Sequence, residues 1–418
     1  MASVVFYFQV HQPYRLRRYS VFDSDPFYFD TQKNGDICRK VADKCYRPAT
    51  QLILDLVKRH KGRFKVSYAI TGVALDQFAE FAPDVLDIFR RLADTGCCEF
   101  IGETYDHSLS FLYSREEFRA QVDQHTARIQ ALFGQTPRVF RNTELIYSNE
   151  LAQYVSGLTN PDGTPRFLGA LCEGTDKHLG YRSPTFVYKP PAAAPRPGKP
   201  FGLLLKNYRL SDDIAFRFSN RGWAEWPLSA EKFAKWVNDI NGNGYLCNLF
   251  MDYETIGEHQ WVDTGIFKFI EALPEKIFDV SPGENHFNTP SEALERFDAV
   301  GEYDVPTPIS WADSERDLSA WLGNAMQANA LNETYRIEKF VKRRVEQAAA
   351  SKDPVAMKEA MFALEDWRKL TTSDHSYYMS TKYWSDGDVH KYFSPYDSPY
   401  DAYINFMNCL DNLRTRVS

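Results

Sequence analysis

The chain has 418 residues, 44% hydrophobic and 25% charged, and a formal net charge of −7. That length and balance suit a globular protein with one large domain and a smaller one, and the acidic charge argues against a nucleic-acid partner, which calls for a basic face. Seven cysteines without a CxxC or Cys/His zinc spacing read as reduced, mostly buried thiols, and with no signal-like h-region and no membrane-length apolar stretch a cytoplasmic protein without a membrane partner is expected.

Residues 4–10 form the first expected strand, and His11-Gln12-Pro13 ends it because Pro13 cannot continue a paired central strand. A helix follows over about 48–60, with Leu52, Leu56 and Val57 on one face. Residues 65–70 are the next strand, closed by Thr71-Gly72. The stretch 74–94 is helical in pattern, broken at Pro83 and ended by Gly96. Residues 98–101 then form a short strand leading into Gly102-Glu103-Thr104-Tyr105-Asp106-His107. Ser114, with Glu117 three residues on, reads as a capping box for a helix that stops at Gly134. Val139-Phe140 is a short strand running into Arg141-Asn142-Thr143-Glu144, and the next helix turns Leu151, Tyr154 and Val155 inward.

Strands at 167–171 and 202–205 flank a Pro/Ala-rich surface loop over 189–198. A helix over 229–240 precedes the apolar run 245–251, which stops abruptly at Asp252-Tyr253-Glu254-Thr255-Ile256-Gly257-Glu258-His259-Gln260-Trp261. A further helix spans 265–273. Short, two-sidedly apolar strands alternating with helices imply parallel strands joined by helical crossovers. No GxGxxG or P-loop sequence follows any strand, so a barrel is expected rather than a nucleotide-binding sheet. From about Asp304 the pattern becomes helical. Ser314-Glu315-Arg316-Asp317 is expected to open a long helix carrying Leu318, Trp321, Leu322 and Ala325, with others starting at Asp353-Pro354 and spanning 401–414. The expected division is therefore a barrel over 1–303 and a helical bundle over 304–418.

His11, Glu103, His107, Glu144, Asp252 and Glu254 all stand just after expected strands, and in a parallel barrel such positions converge on the face where active sites are built. Any one alone is more often a structural hydrogen-bond partner than a catalyst. Carboxylates on different strands, with no serine elbow and no activated cysteine, are the minimum kit for glycoside hydrolysis. A metal site from His11, His107, Asp252 and His259 is the competing arrangement, although no H-x-x-x-H or H-x-E-x-H spacing occurs. The aromatic content of 15% mainly serves the core, with some rings available as platforms for sugar faces.

His11-Gln12-Pro13, Gly102-Glu103-Thr104-Tyr105-Asp106-His107, Phe140-Arg141-Asn142-Thr143-Glu144, Met251 to His259, and Thr371-Thr372-Ser373-Asp374-His375 resemble, in order, the conserved regions of glycoside hydrolase family 57. The resemblance is greatest to the compact α-amylases of that family. It implies an α/β fold, an incomplete (β/α)7 barrel followed by a C-terminal α-helical bundle that completes the cleft. It further implies a retaining mechanism on α-linked glucans, with Glu144 as nucleophile and Asp252 as general acid/base, their carboxyls about 5–5.5 Å apart. Burial and the Glu144 charge should raise the Asp252 pKa, while Arg141 or His11 helps keep Glu144 ionised. Substrate contacts are expected from His11, Gln12, Glu103, His107, Glu254, His259, Trp223, Trp261, Asp374 and His375, with Trp311 and Asp313, just before the expected long helix, weaker candidates of the same kind. Neither a metal nor a cofactor is expected, and the partner is an α-glucan or maltooligosaccharide. A 4-α-glucanotransferase or branching enzyme, a non-catalytic glycan-binding protein and a metal-dependent deacetylase-like hydrolase are the alternatives.

Overall fold

The computed structural model describes residues 2–382 and 394–418. Its strands are β1 (Ser3–Val10), β2 (Val66–Ile70), β3 (Cys98–Phe100), β4 (Val139–Arg141), β5 (Gly169–Glu173), β6 (Val187–Tyr188), β7 (Gly202–Lys206), β8 (Leu246–Asp252) and β9 (His286–Phe287). They form two sheets, β3-β2-β1-β8 with β9 beside the start of β1, and β4-β5-β7-β6. The pairings are parallel apart from β6 with β7. This is a mixed α/β fold in which helices return the chain from the end of one strand to the start of the next.

The two sheets meet at both edges. After β3, the Gly102 N–H donates to Val139 O at 2.9 Å and the Arg141 N–H to Gly102 O at 2.8 Å. Between β7 and β8 the Asn207 N–H donates to Asn248 O at 2.9 Å, and Asn248 Nδ2 donates to Leu205 O at 2.8 Å.

Side-chain alternation explains why the strands are apolar on both sides. On β1, Val4, Phe6, Phe8 and Val10 join the core beneath the helices, while Val5 and Tyr7 join an inner core with Ala69, Ile101, Val139, Leu171, Leu204 and Phe250. That inner core draws residues from both sheets. The helix over Arg47–Arg59 matches the expected one, but helical structure begins earlier, at Thr31–Val41, in a segment too charged and too interrupted by Gly35 to show a clear apolar stripe.

The long helix expected from Ser314 does not form. Residues 310–317 are a loop, followed by a short helix at Ser319–Leu322. Gly323 then breaks the run and Asn324 caps a new helix, Ala325–Arg336, through a reciprocal capping box with Gln327. The capping box expected at Ser114 is only half made. Ser114 Oγ accepts from the Glu117 N–H at 3.2 Å, but the Glu117 carboxylate is buried and paired with Arg368 instead. Helices Glu338–Ser351, Pro354–Leu370 and Pro399–Val417 complete the C-terminal part. Their apolar core also takes in Leu16, Tyr19 and Tyr28 from the loop after β1. Among the described residues no helix is long and apolar enough to cross a membrane.

Candidate active site

Continuing the alternation two residues past each inner apolar side chain produces a polar ring. Tyr7 is followed by Gln9, Ile101 by Glu103, Val139 by Arg141, Leu171 by Glu173, Leu204 by Lys206, and Phe250 by Asp252. These residues stand at the C-terminal strand ends on the inner face, in a register that pairs Gln9 with Asp252 and Glu173 with Lys206. Apart from the half-buried Asp252, each is at least nine-tenths buried. A buried ring of charges must be satisfied internally, and the contacts below do most of that.

Glu144 sits just past β4 in a single tight turn, with φ of 57° and ψ of 28°. A left-handed conformation at a non-glycine residue is costly and clusters at functional sites, and His107 shares it with φ of 51°. Both Glu144 carboxylate oxygens are held. His107 Nε2 lies 3.0 Å from Oε1, and the Trp311 indole Nε1–H donates to Oε2 at 2.8 Å. Burial would raise this carboxyl, but the hydrogen bond and charge of His107, with the charge of Arg141, hold it below the ordinary value.

His107 is itself buried, which disfavours its cation. Contact with Glu103 and Glu144 outweighs that and pushes the imidazole up to about 9. Its Nδ1 is 3.6 Å from Glu103 Oε2, an ionic contact rather than a hydrogen bond. Behind it, Glu103 accepts from Gln9 Nε2 at 3.2 and 3.3 Å and lies 3.9 Å from Arg141 Nη1. Glu103 is 0% exposed, so it acts on the site through His107 and Arg141 rather than by touching solvent.

The His11 ring stacks on His107 with centroids 4.0 Å apart. Its Nε2 lies 2.9 Å from Asp374 Oδ2 and its Nδ1 3.0 Å from Thr71 Oγ1. A carboxylate only accepts, so Nε2 carries the proton and Nδ1 accepts from the threonine hydroxyl. Burial and the neighbouring His107 charge lower the His11 pKa, which keeps this ring neutral. Contact with His11 and the charges of His107 and His375 overcome burial and hold Asp374 far below the usual carboxylate range. Asp374 reaches the site because its loop docks on the His107 turn, with the Ser373 N–H donating to His107 O at 2.9 Å.

Asp252 contrasts with Glu144. Burial raises its carboxyl, the Glu144 charge raises it further, and despite Arg141, Lys206 and His107 it is pushed up to about 6. It accepts no hydrogen bond among the described residues, so its anion has only the charges of those three neighbours to stabilise it. Two neighbouring carboxyls of opposite tendency, one held ionised and one keeping its proton up to about pH 6, are the kind of arrangement that can serve as an acid/base pair.

The structure therefore brings Glu144, Asp252, His11, Glu103, His107, Trp311 and Asp374 together. Gln12 and Glu254 lie beside them in a buried network. Gln12 Nε2 donates to the Tyr46 hydroxyl at 3.1 Å, and that hydroxyl donates to Glu254. Burial and the Asp252 charge push Glu254 up to about 8. Five others show the following contacts. Trp223 packs edge-on to Trp236 at 6.2 Å, and the 58%-exposed Trp261 lies 5.2 Å from Lys44 Nζ. His375 packs on Phe406 at 5.5 Å, and burial lowers His259 to about 4 beside Glu258. Asp313 pairs with Lys382 at 3.1 Å. Gln9, Glu173 and Lys206 stand in no motif of the sequence; counting two residues on from the last inner apolar position of each strand finds them. Among the described residues no group of three or more metal-binding side chains converges.

The family model described as glycosyl hydrolase family 57 matches residues 5–306. A Methanocaldococcus jannaschii protein named "Putative alpha-amylase" is 41% identical over 415 residues, covering 97% of this chain and 83% of that protein. Among solved structures, the branching enzyme of Pyrococcus horikoshii superposes with a TM-score of 0.65 at 15% identity, over 98% of this chain and 88% of its own. An α-amylase from Thermotoga maritima superposes with a TM-score of 0.61 at 14% identity, over 99% and 93% of the two chains. At these identities the structural likeness speaks to the fold alone.

Proposed function

Because this chain belongs to glycosyl hydrolase family 57, we propose that it is a retaining α-amylase cleaving internal α-1,4 links of starch- or glycogen-type glucans. The observation that carries this reading is the split between the two carboxyls: Glu144 held ionised by His107 and Arg141, Asp252 raised to about 6 beside it. In the first step Asp252 gives its proton to the glycosidic oxygen, the bond from that oxygen to the anomeric carbon breaks, and a Glu144 oxygen bonds to that carbon. In the second, ionised Asp252 takes a proton from water, whose oxygen displaces Glu144. The donors on Glu144 stabilise the carboxylate as it leaves. His11, His107, Trp311 and Asp374 border this centre and are read as contacts to the sugar hydroxyls and ring.

We read the two sheets, joined by hydrogen bonds at β3/β4 and at β7/β8, as an incomplete (β/α)7 barrel over 1–303. The helices of 304–418 form the bundle that completes the cleft. Support for the barrel comes from the inner core shared by both sheets; support for the cleft comes from Asp374 reaching His11 at 2.9 Å.

The test is reducing-end release and product sizing on soluble starch and maltooligosaccharides, with Glu144→Gln and Asp252→Asn as controls. Short internal products, lost in both variants, are expected. Chains longer than the substrate, or new α-1,6 links, would replace hydrolysis by 4-α-glucanotransferase or branching activity, because the same covalent intermediate is then resolved by a sugar hydroxyl. Equal activity in wild type and Glu144→Gln would end the assignment.

A further inference from the structure

Trp311 touches Glu144 twice. Its backbone N–H donates to Glu144 O at 3.2 Å and its indole Nε1–H to Oε2 at 2.8 Å. Yet Trp311 belongs to neither sheet. It sits on the loop 310–317, which closes on itself as the Ser310 N–H donates to Arg316 O at 3.0 Å and Ser310 Oγ donates to Asp317 O at 2.7 Å. Asp313 and Arg316 both have positive φ, at 55° and 50°. Non-glycine residues keep that conformation only where their surroundings enforce it.

The anchor is Arg316. Its Nη1 lies 3.1 Å from Glu173 Oε1, its Nη2 donates to Asp212 Oδ2 at 3.5 Å, and its guanidinium covers the Tyr208 ring at 3.9 Å. Lys206 completes the network, with Nζ 3.2 Å from Asp212 Oδ1 and 3.7 Å from Glu173 Oε2. Glu173 and Lys206 are paired last residues of β5 and β7, so the far side of the anchor is sheet backbone. Two acids and two bases balance, which is the condition for burying such a group. Lys206 Nζ also stands 5.5 Å from the centroid of the Trp311 ring, and the Arg141 guanidinium 4.8 Å from it. Both cations are attracted to the indole face.

We propose that Arg316, anchored by Glu173, Lys206 and Asp212, is a positioning residue that holds the 310–317 loop so that the Trp311 indole N–H stays on Glu144. The proposal rests on Glu144 being the nucleophile. Arg316 reaches neither carboxyl of the catalytic pair; it acts through Trp311, and it ties the β5 and β7 strand ends to the β4 turn.

The test uses the full-length chain carrying Arg316→Gln, Arg316→Lys, Trp311→Phe and the Arg316→Gln/Trp311→Phe pair. On a maltooligosaccharide, Arg316→Gln should lower kcat by about tenfold or more, as misplacement of a reacting group does. KM should change less than kcat, because the indole N–H contact that is lost is to the nucleophile. Arg316→Lys should recover part of the rate, and the double variant should be no slower than Trp311→Phe alone. Independent, multiplying losses in the double variant would overturn the proposal.

A second readout needs no substrate. The indole N–H resonance of Trp311, assigned by its disappearance in Trp311→Phe, should shift in Arg316→Gln and return toward its place in Arg316→Lys. An unmoved resonance would overturn the proposal even in an active enzyme. Absence of α-glucan turnover by the wild type with a shifting resonance would instead retire the hydrolase reading and leave the anchor standing. If Arg316→Gln proves unfolded by circular dichroism, Asp212→Asn removes one acidic anchor and is judged by the same resonance.

Discussion

At the scale of single residues, the proposed mechanism depends on two carboxyls being set apart. In the proposed mechanism Asp252 holds a proton to start the reaction, and with its pKa pushed up to about 6 it loses that proton as pH rises through that value. The kcat/KM profile should therefore fall on its alkaline side near pH 6, and initial rates across pH 4–8 check it. Glu144 must be ionised, and the His107 charge helps hold its pKa low. His107→Gln leaves an amide to donate to Oε1 but removes the charge, so the Glu144 pKa rises and the acid limb moves to higher pH, narrowing the profile from below. An acid limb that stays in place would show that His107 does not govern Glu144. Much of this was legible in the sequence, because a carboxylate or histidine at the end of an apolar run is conspicuous at Glu103, His107, Glu144 and Asp252. Lys206 and Glu173 were not conspicuous. Each ends a short strand whose partner is more than 30 residues away, so their pairing follows from register and not from local pattern.

At the scale of elements, the site depends on how the helix Pro354–Leu370 is seated. Arg368 near its end donates from Nε to Glu117 Oε1 at 2.7 Å, and Lys342 adds a contact at 3.5 Å to Glu117 Oε2. Just beyond the helix, Thr372 Oγ1 donates to Asp106 O at 2.9 Å and Thr372 bridges Ser108. Asp374 is thereby delivered to His11. Glu117→Gln would leave Arg368 without its carboxylate, and breaking a buried pair from one side costs about 3 kcal/mol. Urea unfolding should register that loss, and kcat should fall as the Asp374–His11 contact loosens. Unchanged kcat in a destabilised but folded variant would separate the seating from the chemistry. This joint explains a sequence expectation that failed in part. Ser114 and Glu117 have the capping-box spacing, but a half-buried arginine from 251 residues away takes the buried Glu117 carboxylate. The helix expected at Ser314 failed likewise, because Arg316 is committed to Glu173 and Asp212 in a left-handed conformation that a helix cannot hold.

At the scale of the whole molecule, the buried acids and histidines make stability depend on pH in a direction their signs determine. Burial pushes Glu99 and Asp106 up to about 7, and Glu254 up to about 8. His107 is pushed up to about 9 by its two carboxylates against the effect of burial. In the unfolded chain the three acids lose their protons near pH 4 and a histidine near 6.5. Between about pH 6.5 and 8 the folded protein thus holds protons that the unfolded chain has released. Unfolding releases them, and raising the pH favours unfolding. Below that window the sign is contested. Burial lowers His259 and His375 to about 4, and charging them on unfolding makes stability rise with pH up to about 6.5. The opposing contributions make the pH dependence shallower below pH 6.5 than above it. Thermal denaturation at pH 6.5 and 8.5 should give a melting temperature several degrees lower at the higher pH. Glu254→Gln, which replaces an acid that must ionise with a neutral amide still able to accept from Tyr46, should flatten that fall. A melting temperature that climbs from 6.5 to 8.5 would mean that these carboxyls are ionised in the folded state, and with Glu254 ionised beside it Asp252 would be driven further toward its protonated form.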